Sequence, residues 1–341
     1  MQTAFEEEIR SQAELIRRRT VLGAEEAAQV SEAFRNIDYL LVAARGSSDN
    51  AAVFLQYFAG QELGLLVALA APSLYEGDAT IGLNGAGVLA ISQSGRTPNL
   101  VNVIEAANEQ NRPSAAITND PDSPLARASA QVIALNAGQE RAVASTKTFT
   151  STWHALAQLV EALKGSPLEG LETLSDTVER AATWALSMTL PLDILNAERG
   201  LTIVGRGVGQ AVAAEIALKI REVTGIRAES FSAADYLHGP IGADGRGSAL
   251  LLIATDELKT EVAEAMLEEC RRFSMSSVVL RSLSRGAFAS DAEIVVDESG
   301  PNWCVALAEV IVGQVLALRL GELRGRPIDT SPGLKKVTLS A

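Results

Sequence analysis

Cysteine is almost missing from this chain: Cys270 and Cys304 are the only two. That excludes a disulfide framework, and the pair lacks the spacing of a zinc site. Aromatic residues make up only 4% against 47% hydrophobic residues overall, so the cores must be built from Ala, Leu, Val and Ile. Basic residues are in deficit, 29 Lys and Arg against 42 Asp and Glu, for a net charge of -13. This argues against nucleic acid as a partner, because a phosphate backbone needs a basic footprint. A small anion is not excluded, since local dipoles and a few side chains suffice to hold one. No signal peptide opens the chain and no apolar run approaches the length of a membrane span, which sets a cytoplasmic protein without a membrane partner as the expectation.

What is present is length for about two domains and a regular alternation of apolar runs with amphipathic segments. After a helix over roughly 3–20, strands are expected at 39–44, 87–91, 114–118 and 131–135, with helices between them and a closing helix over about 145–163. The second half repeats the plan at 201–204, 248–253, 277–280 and 292–296, closed by an apolar helix over about 303–320. Alternation of this kind predicts parallel sheets covered by helices on both faces. The expected fold is α/β, with two doubly wound, flavodoxin-like domains in tandem. An N-terminal helical segment covers 1–36, the first domain 37–170, the second 190–330 and a C-terminal tail 331–341.

The segment Ser92-Gln93-Ser94-Gly95-Arg96-Thr97 falls between an apolar strand and an amphipathic helix. Free backbone N–H groups and the positive end of the helix dipole meet there, which favours a phosphate. Serine and threonine add neutral donors. The second half has Ala254-Thr255-Asp256-Glu257 at the same place, and two carboxylates would repel a phosphate. One anion site per chain is therefore expected. The turn Gly205-Arg206-Gly207-Val208-Gly209 invites a dinucleotide reading, but its spacing departs from that fingerprint, and it echoes the turn around Gly46.

Glu215, Lys219 and Glu222 are spaced four and three apart, within about 60° on one helix face. Taken alone they read equally as a solvated ion-pair stripe. In an apolar setting, a carboxylate beside a lysine suits proton abstraction next to a carbonyl, and a lysine amine suits imine formation. His238 precedes Gly239-Pro240 in a loop, whereas His154 lies in an apolar helix and reads as packing. Lys335 stands in the tail beside Lys336, which leaves the register open by one residue.

Together these motifs resemble the sugar isomerase (SIS) domains, specifically the isomerase half of glutamine:fructose-6-phosphate amidotransferases. The likeness rests on Gly46-Ser47-Ser48, the Ser92 to Thr97 loop, Asn136 to Glu140 leading into Val143-Ala144-Ser145-Thr146-Lys147, Glu215 to Glu222, Leu237-His238-Gly239-Pro240, and Leu334 to Thr338. It implies a sugar phosphate on Gly46, Ser47, Ser48, Ser92, Gln93, Ser94 and Thr97, with Val143 and Ser145 lining the sugar. It makes Glu222 the base between C1 and C2, His238 a ring-opening histidine supplied by the neighbouring subunit of a homodimer, and Lys335 a Schiff-base lysine. Glu215 and Lys219 match polar residues of the same pocket. The amidotransferase carries a glutaminase domain whose cysteine follows the initiator methionine; this chain opens Met1-Gln2-Thr3 and has no cysteine before Cys270. Stand-alone members are therefore the nearer comparison, and Arg45 to Asn50 with Ser92 to Pro98 look closest to glucosamine-6-phosphate deaminases of the SIS type, acting on a hexose 6-phosphate with no metal or other cofactor. An aldose–ketose phosphosugar isomerase and a fructosamine-6-phosphate deglycase keep the same site, and a non-catalytic phosphosugar sensor is the alternative of another class.

Overall fold

The computed structural model describes residues 2–77, 80–331, 333 and 336. Helix α1 (Ala4–Ala33) is followed by β1 (Tyr39–Ala43), α2 (Ser47–Leu63), β2 (Leu66–Leu69), β3 (Ala86–Ser92), α3 (Pro98–Glu109), β4 (Ser114–Thr118), α4 (Pro124–Ala128), β5 (Gln131–Ala134) and α5 (Lys147–Lys164). Two connecting helices come next, α6 (Leu174–Ser187) and α7 (Leu192–Leu195). The plan then recurs as β6 (Gly200–Gly205), α8 (Val208–Thr224), β7 (Ala228–Ser232), α9 (Ala233–Leu237), β8 (Ser248–Ala254), α10 (Thr260–Arg272), β9 (Ser276–Ser282), β10 (Ala292–Val296) and α11 (Asn302–Leu323).

The chain divides into two compact units. The N-terminal unit comprises Glu14–Glu140 and Lys147–Glu172, together with Lys336; the C-terminal unit comprises 2–13, Arg141–Thr146 and 173–331. Each holds one five-stranded parallel sheet, in the orders β2-β1-β3-β4-β5 and β10-β9-β8-β6-β7. Both are the same doubly wound order, so the α/β reading holds. The central strands β3 and β8 are buried at all seven positions, as continuous apolar runs in a sheet covered on both faces should be.

In the N-terminal unit one face of the sheet packs Val88 and Ala90 against Leu100, Val103 and Ile104 of α3. On α2 and α5, Phe54 stacks on Trp153 with ring centroids 3.6 Å apart. In the C-terminal unit α8 packs closely on α11, where Gly313 leaves room for Ile216: a Cβ at 313 would stand 2.2 Å from Ile216 Cγ1. The cluster of Val204, Leu250, Leu252, Tyr236, Ile241 and Met266 belongs to the face covered by α9 and α10.

Four strands were expected per domain, and the structure has five. The additions, β2 and β7, are the outermost strands on one side of each sheet. Strand β7 reads Ala-Glu-Ser-Phe-Ser and offers no apolar run, whereas β2 lies within the apolar run Leu65 to Ala71, which the expectation left unassigned. Helix α1 also runs well past the expected end near residue 20, continuing to Ala33. Gly23 does not break it; that position lies against the side chains of Arg19 and Gln158, which a Cβ would strike. A third correction concerns α11, which by length and composition alone could cross a membrane. Its apolar window is 94% buried inside the protein, as expected of a core helix.

Candidate active site

In the N-terminal unit β1 and β3 are neighbours, while their successors β2 and β4 lie on opposite sides. The connections therefore diverge between β1 and β3, opening a crevice at the carboxyl ends of these strands where ligands of doubly wound sheets bind. Register places Ala43 opposite Ala90, so the turn Arg45-Gly46-Ser47-Ser48 and the loop Gln93 to Thr97 leave the sheet side by side. Ser92 is buried at the strand end, with Ser47, Ser48, Gln93, Ser94 and Thr97 half-buried beyond it.

The loop is internally braced. Gly95 N–H donates to Ser92 Oγ at 3.1 Å, which leaves the Ser92 O–H to donate elsewhere. Gly95 has φ of 60°, and a Cβ there would lie 2.0 Å from Ser123 Oγ; only glycine fits. Thr97 is the N-cap residue of α3, with Pro98 at the first helical position. Arg96 is turned to Asp120, Nη2 to Oδ2 2.8 Å.

The C-terminal unit has the same switch point between β6 and β8. Gly46 and Gly207, the N-cap residues of α2 and α8, share one backbone conformation, φ 59° and ψ −131°. At the second site, however, the protein supplies its own anion. Glu257 Oε2 accepts the Val208 N–H at 2.7 Å, and its carboxylate lies against Gly207. The acidic substitution seen in the sequence is thus more than repulsive, because Glu257 fills the helix N-terminus. The glycine-rich turn is explained by packing: a Cβ on Gly205 would lie 2.0 Å from the Gly209 carbonyl oxygen.

Helix α8 carries Glu215, Lys219 and Glu222 on one face. Glu215 and Lys219 are fully buried, while the Glu222 side chain is 22% exposed. Lys219 Nζ stands 2.5 Å from Glu222 Oε2 and 3.6 Å from Glu215 Oε1. The stripe is therefore buried, and the solvated ion pair is set aside. Ser331, on the segment after α11, donates its hydroxyl to the Glu222 carbonyl. Val143 and Ser145 are half-buried in this same unit, and Val143 N–H donates to the Asp329 carbonyl at 3.1 Å. The Asp329 carboxylate in turn accepts the Ala4 and Phe5 N–H groups, both at 2.9 Å, and so caps α1.

His238 is exposed, immediately after α9. The two crossovers β6–α8–β7 and β8–α10–β9 run in opposite directions across the sheet, and right-handed crossovers then put α8 and α10 on opposite faces. Helix α9 packs with the α10 face through Ala233 and Tyr236. The sheet therefore separates His238 from Glu222 within one unit. His154, read as packing, is fully buried in α5. Lys335 lies outside the described residues; its neighbour Lys336 pairs with the buried Glu140 at 2.5 Å. Motif reading passed over Tyr236, Asp244, Asp329 and Ser331. It quoted Glu140 as the end of a motif and Glu257 through comparison of the two halves, without the partners that the structure gives them.

One open and one self-filled switch point, on duplicated sheets, define a tandem doubly wound α/β protein. The chain belongs to the SIS domain family, whose model matches residues 33–162 and 194–320. A glutamine–fructose-6-phosphate aminotransferase (isomerizing) of Lactiplantibacillus plantarum is 30% identical over 258 residues, covering 72% of this chain and 42% of that protein. One from Streptococcus pyogenes serotype M6 is 32% identical with the same coverage. The chain thus spans about 42% of the length of these curated relatives. Among solved structures, a Silicibacter pomeroyi DSS-3 chain assigned to the phosphosugar isomerases superposes with TM-score 0.84 at 29% identity, covering 96% of this chain and 99% of that one. The C-terminal domain of a Francisella tularensis glucosamine-fructose-6-phosphate aminotransferase gives 0.86 at 21% identity, with 97% and 98% covered.

Proposed function

We propose that this chain is an aminohexose 6-phosphate deaminase/isomerase, converting glucosamine 6-phosphate and water into fructose 6-phosphate and ammonia. The phosphate sits on Ser48, Ser92, Gln93, Ser94 and Thr97, with the Gly46-Ser47 backbone beside them and Val143 and Ser145 against the sugar. After ring opening, Glu222 removes the proton from C2 and returns it at C1, which turns the 2-amino aldose into a ketose imine. Water adds to that imine and ammonia leaves. Lys335 engages the carbonyl carbon or stabilises its oxygen.

The observation that carries this reading is the buried line of Glu215, Lys219 and Glu222. Lys219 holds one oxygen of a carboxylate that remains partly open to solvent, which suits a base that must be both aimed and reachable. A phosphosugar sensor has no use for such an arrangement. The separation of His238 from Glu222 by the sheet supports a homodimer in which each His238 opens the sugar ring in its partner's site.

Ammonia release from glucosamine 6-phosphate tests the reading, with wild type compared against Glu222→Gln. Release by wild type and its loss in the variant are expected. Interconversion of hexose 6-phosphates without ammonia replaces the deaminase by the isomerase, and release of an amino acid from fructosamine 6-phosphate conjugates replaces it by the deglycase. Binding with no turnover of any of these substrates makes the chain a sensor. Activity in a demonstrated monomer refutes the shared site.

A further inference from the structure

The turn that carries His238 is closed by side chains that the proposed chemistry does not use. Tyr236, two residues before the histidine, is fully buried, and its hydroxyl donates to Asp244 Oδ2 at 2.8 Å. The same oxygen accepts the Thr202 hydroxyl at 2.9 Å. Thr202 lies inside β6, so the carboxylate ties both limbs of the turn to a central strand of the sheet. His238, Gly239 and Pro240 lie between the two clasped residues. The Tyr236 ring also packs against Phe231 of β7, centroids 5.7 Å apart. At the start of the turn the Ser232 hydroxyl accepts the Asp235 N–H at 3.1 Å, capping α9, and the His238 N–H closes that helix on Ala234 and Asp235.

We infer that Tyr236 and Asp244 form a clasp that positions His238 for ring opening, with Thr202 as its anchor. This rests on the functional reading given to His238 above. An exposed histidine on a free loop samples many orientations, and misplacement by about 1 Å can cost about 100-fold in rate. The clasp restrains the backbone that carries the imidazole without touching its exposed face. The clasp's bonds run to a carboxylate, which makes them stronger than bonds between neutral groups. Burial and the hydrogen bond to Asp244 both push the Tyr236 hydroxyl pKa upward, so the phenol stays a donor.

Tyr236→Phe removes one oxygen and keeps the packing; Asp244→Asn and Thr202→Val weaken the other two corners. On a cyclic hexose 6-phosphate, Tyr236→Phe is expected to lower kcat by roughly 10-fold or more with KM unchanged. In a His238→Ala background the same substitution is expected to cost nothing further, whereas a general structural defect costs the same in both backgrounds. A second readout does not depend on turnover. The chain has two histidines, so histidine-labelled protein gives two imidazole signals. Tyr236→Phe is expected to shift and sharpen that of His238 and leave that of His154 in place. An unchanged His238 signal, or wild-type kcat in Tyr236→Phe, overturns the clasp. A wild type that turns over no sugar phosphate while the His238 signal still responds removes the functional reading and leaves the clasp standing.

Discussion

Replacing His154 with leucine removes a titration that burial has displaced. The imidazole is fully buried in α5, and neither ring nitrogen has a hydrogen-bond partner among the described residues. Burial first, and then the charge of Arg19, push its pKa from the ordinary 6.5 down to about 3. The unfolded chain therefore takes up a proton near pH 6.5 while the native state refuses it until about pH 3. Stability falls as pH drops through that window, by roughly 1.4 kcal/mol per pH unit. The loss attributable to this one group is about 2 kcal/mol at pH 5 and approaches about 5 kcal/mol near pH 3. Leucine fills much of the same space and carries no proton. Urea unfolding of wild type and His154→Leu at a series of pH values from 7.5 to 4 isolates the term, because other titrating groups are common to both. The variant is expected to gain on wild type with each step below pH 6.5. Parallel decline of the two proteins between pH 7.5 and 5 refutes the argument.

Glu309 predicts the opposite trend. It is completely buried in α11 with both carboxyl oxygens unpartnered among the described residues. Burial raises its pKa well above the ordinary 4.5, and Asp256 adds to the rise while Arg285 opposes it. The native state keeps the proton above pH 4.5, so wild-type stability falls as pH rises, and Glu309→Gln is expected to gain on wild type from pH 5 to 8 in urea unfolding. Glu257→Ala empties the N-terminus of α8 and is expected to cost about 0.5–2 kcal/mol; added sulfate should recover part of it in thermal melts, and an unchanged melting temperature would count against the filled-site reading. Replacing both Ser92 and Ser94 by alanine is expected to weaken hexose 6-phosphate binding by about 100-fold or more by calorimetry, since hydrogen bonds to charged groups are worth about 1.5–3 kcal/mol each and two are lost. Unchanged affinity would move the phosphate elsewhere.

The tandem doubly wound fold was legible because its central strands are buried on both faces and so appear as unbroken apolar runs. The edge strand β7 was not, since Ala-Glu-Ser-Phe-Ser contains no apolar run; β2 lies in one, Leu65 to Ala71, and was missed all the same. The motifs placed Glu215, Lys219 and Glu222 on one face by helical geometry alone. Whether that face was wet or dry depended on how the folded chain covers it, which no local pattern records.

Spacing and residue type by themselves determined the order of four strands in each half, the duplication, and the loss of the hydroxyl loop from the second copy, because these follow from local periodicity and from comparing one half with the other. Tertiary structure decided that Glu257 fills the vacated helix end, that the sheet stands between Glu222 and His238, and that Tyr236 and Asp244 close the histidine turn. Each of those facts depends on which residues meet after the chain has crossed the sheet, and contacts across such distances leave no period in the sequence.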